Sequence, residues 1–217
     1  MKTAIVVGAT GLIGSHLTNK LLEDSRYAKV KTFSRRSIDF VHPKLEEEIV
    51  DFEKLCDWRT KITGDELFSA MGTTIKKAGS KEAQFKIDFT YQYLVAKAAF
   101  DNGVSSYLLV SSIGANSKSK NFYLKIKGSL EENISRLHFK HIFIFQPSLL
   151  TGVRSEKRFG ENFSAPILKI ISVLPFFKKY KPIQADIVAE GMIKAANQLT
   201  SNRLVKYSSN KIFDLVN

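Results

Sequence analysis

A run of strand character, Thr3 to Val7, ends directly in Gly8-Ala9-Thr10-Gly11-Leu12-Ile13-Gly14, and a stretch of helix length opens within those glycines. That juxtaposition constrains the fold more than any other feature of the chain. Glycines at these positions let the backbone turn tightly from strand to helix. They also leave N–H groups bare at the positive end of the helix dipole, an arrangement that receives a pyrophosphate. Gly8, Thr10, Gly11, Leu12, Ile13 and Gly14 are therefore candidate dinucleotide-binding residues.

The rest of the chain keeps the rhythm this opening implies. Strands are expected at Val30 to Ser34, Glu48 to Asp51, Leu67 to Met71, Tyr107 to Ser111, His141 to Gln146 and Leu204 to Tyr207. Helices are expected at Gly11 to Glu23, Glu82 to Asn102, Phe122 to Leu137 and Asp186 to Leu199. In the first helix Ile13, Leu17 and Leu21 form one apolar stripe, and the second stops at the breaker pair Asn102-Gly103. Strand alternating with helix forces parallel pairing through crossovers. The expected fold is α/β, a Rossmann-like doubly wound parallel sheet with helices on both faces. With 217 residues, 44% of them hydrophobic, the chain suits one core and a single domain over 1–217. Between Thr151 and Lys181 the rhythm breaks into a small substrate-side insert. Its apolar run, Ala165 to Phe177, followed by Lys178, Lys179 and Lys181, is expected to act as a substrate lid, a dimer contact, or a surface for a partner protein or anionic membrane. At thirteen residues it is too short to span a bilayer.

The second strand ends in Phe33-Ser34-Arg35-Arg36, where an NAD-selective loop carries a carboxylate for the ribose hydroxyls. Ser34, Arg35 and Arg36 instead suit a 2′-phosphate through charge-assisted bonds, so NADP(H) is the expected cofactor. The formal net charge of +12 raises nucleic acid and anionic membranes as partners. The lysines are scattered, however, and no aromatic-rich RNA-binding segment accompanies them, so a nucleic-acid partner is not expected. Cys56 is the only cysteine, the four histidines have no metal spacing, and no secretory signal precedes the first strand. No metal site and a cytosolic location are the resulting expectations.

Tyr123 and Lys127 stand four apart on the Phe122 to Leu137 helix, so both side chains emerge on one face a turn apart. A free phenol, with a pKa of about 10, is a poor base at neutral pH, and a neighbouring ammonium favours its phenolate. The pair therefore suits proton transfer to or from a carbonyl or alcohol oxygen. Ser112, ending the preceding strand, would hydrogen-bond that oxygen, with Ser111 as the fallback.

These motifs together resemble the atypical short-chain dehydrogenases, in particular the branch of NAD(P)H-binding NmrA-like and Tat-interacting protein-like oxidoreductases. The resemblance rests on the glycine loop, Val50-Asp51-Phe52-Glu53-Lys54-Leu55, Ala70-Met71-Gly72-Thr73-Thr74, Val110-Ser111-Ser112-Ile113-Gly114-Ala115, Tyr123-Leu124-Lys125-Ile126-Lys127-Gly128 and Gln146-Pro147-Ser148-Leu149-Leu150-Thr151-Gly152. It implies that Asp51 and Phe52 flank the adenine, although Phe52 and Met71 read equally well as core. It also implies that Met71, Gly72 and Thr73 run along ribose and pyrophosphate, and that Pro147, Ser148 and Leu149 pass beside the nicotinamide. The second serine, Ser112, is the one it favours, and Lys127 would also bond the nicotinamide ribose. Related chains often carry Arg where this one has Gln146, and Asp88 is read as structural. The activity implied is hydride transfer with a small carbonyl or alcohol substrate, in a monomer or dimer. Two other readings are a dinucleotide-binding sensor or interaction module without turnover, and a sugar-nucleotide epimerase, which uses the same Tyr-Lys chemistry.

Overall fold

The computed structural model describes residues 1–151 and 181–217. Among these, seven strands form one sheet: β1 (Lys2–Val7), β2 (Tyr27–Ser34), β3 (Leu45–Ile49), β4 (Glu66–Ser69), β5 (Ser106–Val110), β6 (His141–Gln146) and β9 (Leu204–Ser208), in the spatial order β3-β2-β1-β4-β5-β6-β9. Every pairing is parallel. A separate two-residue pair, β7 (Leu150–Thr151) with β8 (Ile183–Gln184), brackets residues 152–180. The expected lid or contact segment, Ala165 to Phe177, lies outside the described residues, as do Lys178 and Lys179.

The alternation along β1 shows why both faces are covered. Ala4 and Val6 join a buried cluster with Leu17 and Leu21 of α1 (Leu12–Glu23), Val188 and Met192 of α7 (Ala185–Ala196), and Ile212 of α8 (Ser209–Val216). Ile5 and Val7 point the other way, into a cluster with Val95 and Ala99 of α5 (Gln92–Asp101) and Leu130 and Ile134 of α6 (Phe122–Ser135). Period-2 strands between helices can bury their side chains only in this two-sided manner. The sheet order reverses at β1, so the β1–α1 loop opens into the crevice at the C-terminal ends of β1 and β4, where such folds take ligands.

Three elements depart from the sequence expectation. The third strand runs over Leu45–Ile49 rather than Glu48 to Asp51, because the Asp51 side chain accepts from the Glu53 N–H (2.9 Å) and opens a short 3-10 turn, Phe52–Lys54. The expected long helix runs without a break through α4 (Lys81–Phe85), a π-helical turn at Lys86–Tyr91, and α5, so it departs from expectation only in its winding. The π turn holds the fully buried Asp88. α8 is a further element that the periodicity does not predict; its Ile212 is buried against α7, and its Ser209 hydroxyl oxygen accepts the loop contact described below. Short helices α2 (Leu55–Trp58) and α3 (Ile75–Ala78) complete the set.

Candidate active site

The glycine loop is built from backbone packed on backbone. Gly8 has φ +88°, and a Cβ there would stand 2.6 Å from the Ala70 carbonyl carbon on the neighbouring β4 end. The Gly11 N–H donates to the Gly8 carbonyl (2.9 Å), and a Cβ on Gly14 would fall 2.0 Å from that same oxygen. Gly11 is the N-cap of α1 and supplies no side chain to its first turn. The uncapped N–H groups at that end and the tight loop before it are what a pyrophosphate requires, so the loop fits a dinucleotide. Thr10 is exposed, Leu12 partly so, and the Ile13 side chain is buried in the core beneath.

β2 runs beside β1, with Phe33 opposite Val7, and carries Ser34, Arg35 and Arg36 past the same crevice. Both arginines are exposed. The Ser34 hydroxyl donates to the Arg36 carbonyl and closes the turn that presents them. Asp51 is exposed at the end of the following segment, but the Phe52 ring is buried, 5.3 Å from the Trp58 ring and 5.7 Å from Tyr91. Of the two, the ring of Phe52 thus takes the core role that its sequence reading also allowed. Met71 packs against the same cluster.

Gly72 and Thr73 bring the β4 loop to the Tyr-Lys helix. The Thr73 N–H donates to Asp88 Oδ1 (3.0 Å), Gln84 Nε2 donates to Asp88 Oδ2 (3.1 Å) and to the Thr73 carbonyl (3.2 Å), and Lys127 Nζ lies 3.8 Å from Asp88 Oδ1. A Cβ on Gly72 would sit 3.4 Å from Asp88 Oδ1 and 3.9 Å from Lys127 Nζ. Burial raises the Asp88 pKa above the usual carboxylate value, opposed by Lys127 and the two hydrogen bonds. Sequence reasoning passed over this junction because Asp88 lies 39 positions from Lys127 and only the π turn aims it inward.

On α6, Tyr123 is 37% exposed, while Lys127, one turn on, is 3% exposed with Nζ 6.0 Å from the Tyr123 ring centre. Gly128 allows this placement, since a Cβ there would meet the Asn116 carbonyl carbon at 2.3 Å in the loop that follows β5. The two serines that follow β5 part company. Ser111 is buried and donates to Glu131 on α6, so its hydroxyl is engaged away from the site. Ser112 is half-buried, with only a 3.4 Å contact to the Ile113 carbonyl. After β6, the Pro147 carbonyl accepts from Ile113 N (3.0 Å), Ser148 N donates to Ser209 Oγ (2.7 Å), and Leu149 is 59% exposed. Among the described residues no three or more His, Cys, Asp or Glu side chains gather as a metal site.

A parallel sheet in this order, a glycine cradle at its reversal point and a Tyr-Lys pair on the helix after β5 define a dinucleotide-binding Rossmann protein. The chain belongs to the NAD dependent epimerase/dehydratase family, whose model matches residues 4–133. It is 36% identical to "Protein FMP52, mitochondrial" of Candida glabrata over 99% of this chain and 96% of that protein. It is 40% identical to the Meyerozyma guilliermondii protein of the same name, over 89% of this chain and 84% of that one. In fold it is similar to a UDP-N-acetylglucosamine 4-epimerase from Methanobrevibacter ruminantium M1 in complex with UDP-N-acetylmuramic acid (TM-score 0.70, 17% identity, 98% of this chain and 80% of that chain). The Bordetella bronchiseptica enzyme WbmH in complex with NAD+ is similar too (TM-score 0.72, 17% identity, 96% and 76%).

The family match is broader than the NmrA-like branch that the motifs resemble. The cytosolic expectation is overturned, because relatives in several fungi are named mitochondrial. It rested on a missing secretory h-region and a single cysteine, and neither feature bears on mitochondrial import.

Proposed function

We propose that the protein is an NADP(H)-dependent oxidoreductase of the short-chain dehydrogenase/reductase superfamily acting on a small carbonyl or alcohol. The observation that carries this reading is Lys127, buried beside the half-exposed Tyr123 on α6, at the end of the sheet where the glycine loop opens. The nicotinamide, held with its pyrophosphate at Gly8 to Gly14, would supply or accept the hydride. In the reducing direction Tyr123 Oη gives its proton to the carbonyl oxygen as that oxygen gains charge, and the Lys127 ammonium stabilises the phenolate left behind. Ser112 Oγ orients the same oxygen. Gly72 and Thr73, pinned by Asp88, would hold the dinucleotide alongside, and Arg35 with Arg36 would meet a 2′-phosphate. The mitochondrial names of the relatives suggest that this chemistry takes place in or on that organelle.

The test is NADPH oxidation over a panel of aldehydes and ketones, with UDP-glucose included because neighbours in fold are sugar-nucleotide enzymes, in wild type and Tyr123→Phe. Turnover that survives unchanged in Tyr123→Phe removes the proton-transfer role. No turnover of any panel member beside tight NADPH binding would favour the sensor reading.

A further inference from the structure

Glu131 is a buried carboxylate, 3% exposed, for which the proposed chemistry has no direct use. It follows Lys127 by the interval at which Lys127 follows Tyr123, so phenol, ammonium and carboxylate line one face of α6. Its oxygens reach the ends of two strands and the middle of a third. Oε1 accepts from Ser111 Oγ at the end of β5, both oxygens accept from Gln146 Nε2 on β6 (2.8 and 3.1 Å), and Oε2 pairs with Lys206 Nζ on β9 (2.7 Å). Ser111 immediately precedes Ser112, and Gln146 immediately precedes Pro147. The site is thus assembled from two bodies, a helix carrying Tyr123 and Lys127 and strand ends carrying Ser112 and Pro147, and Glu131 is bonded to both strand ends from the helix.

We infer that Glu131 is a positioning residue that sets α6 in register with the ends of β5 and β6, using the Lys206 ammonium of β9 to hold its charge in place. A buried carboxylate retains such a geometry only while its partners stay, because an unpartnered charge costs more than its contacts return. In this chain the cation comes from the last strand, and Gln146 contributes a neutral amide between them. An arginine at 146 offers a second route, since its planar fork can take both Glu131 oxygens from β6 alone.

The inference rests on the oxidoreductase reading only through its turnover arm. The variants are Glu131→Ala, Lys206→Met and the double variant Lys206→Met/Gln146→Arg. Amide hydrogen exchange over residues 106–117 and 122–135 is measured on the folded full chain with no ligand, together with NADPH affinity. Both single variants are expected to lose protection in these two segments while protection of β1 and α1 stays at the wild-type level. Turnover should fall about tenfold to a hundredfold in kcat, the range expected from a small misplacement of reacting groups, with NADPH affinity held within about threefold. The double variant should regain protection and most of kcat, a rescue that simple loss of stability would not show. Wild-type exchange in the single variants, loss spread evenly over the whole chain, or no rescue by Gln146→Arg would each overturn the inference. If wild type itself turns over nothing, the proposed activity falls, and the exchange measurement still decides the role of Glu131.

Discussion

Gly14→Ala should lower both stability and dinucleotide binding, against the usual preference of a helix. In an unobstructed helix interior, alanine is favoured over glycine by about 1 kcal/mol, so an open site would gain stability. Here the new Cβ would lie 2.0 Å from the Gly8 carbonyl oxygen, far inside the 3.4–4 Å of ordinary contact. That oxygen is backbone, already accepts from Gly11 N–H, and belongs to a residue packed on the Ala70 carbonyl carbon, so relief requires moving α1 away from β1. Overpacking of this kind costs about 1–3 kcal/mol, and the upper end applies when a rigid group is struck. Offset by the propensity gain, the net loss is about 2 kcal/mol, which for a domain of this size is a fall in Tm of about 4–8 °C. Thermal unfolding gives the first number. NADPH binding, followed by quenching of the single tryptophan, Trp58, which donates to the Asp51 carbonyl, gives the second. An unchanged or raised Tm would refute the packing argument. A lowered Tm with wild-type NADPH affinity would show that the cradle is not where the pyrophosphate sits.

Three further outcomes are expected. Arg35→Ala/Arg36→Ala should erase a preference for NADPH over NADH, at about 1.5–3 kcal/mol for each charge-assisted bond lost, and equal affinities in wild type would remove the assignment. Gly72→Ala meets only ordinary contacts, so its Tm should match wild type within about 2 °C while NADPH binding weakens, because the methyl enters the space between the loop and the Asp88–Lys127 pair; a large fall in Tm would contradict this. For Asp88, burial raises the folded pKa above the unfolded one, so ionisation opposes folding at neutral pH and the penalty is relieved as pH falls through the raised pKa toward that of an ordinary carboxylate. The difference in unfolding free energy between wild type and Asp88→Asn should therefore move in favour of wild type as pH is lowered from 7 toward 4; a flat or opposite trend sinks the argument.

Much of this molecule was readable along the chain because the relevant physics is local. The strand-glycine-helix junction at 3–14, the alternation of strand and helix, and the four-residue spacing of Tyr123 and Lys127 depend on backbone freedom and on periods of two and 3.6 residues, which near neighbours dictate. Tertiary structure decided which member of each ambiguous set faces the site. Ser111 and Ser112 are adjacent and alike in sequence, yet in the loop that leaves β5 one is bonded to Glu131 and the other stays partly exposed. Phe52 enters the core because Trp58 and Tyr91 close around it. Asp88 reaches Lys127 from a π turn, and Glu131 gathers side chains of three strand segments 15 to 75 positions away. Such partnerships are set by the order of strands in the sheet, a property of the folded whole that no short window of sequence contains.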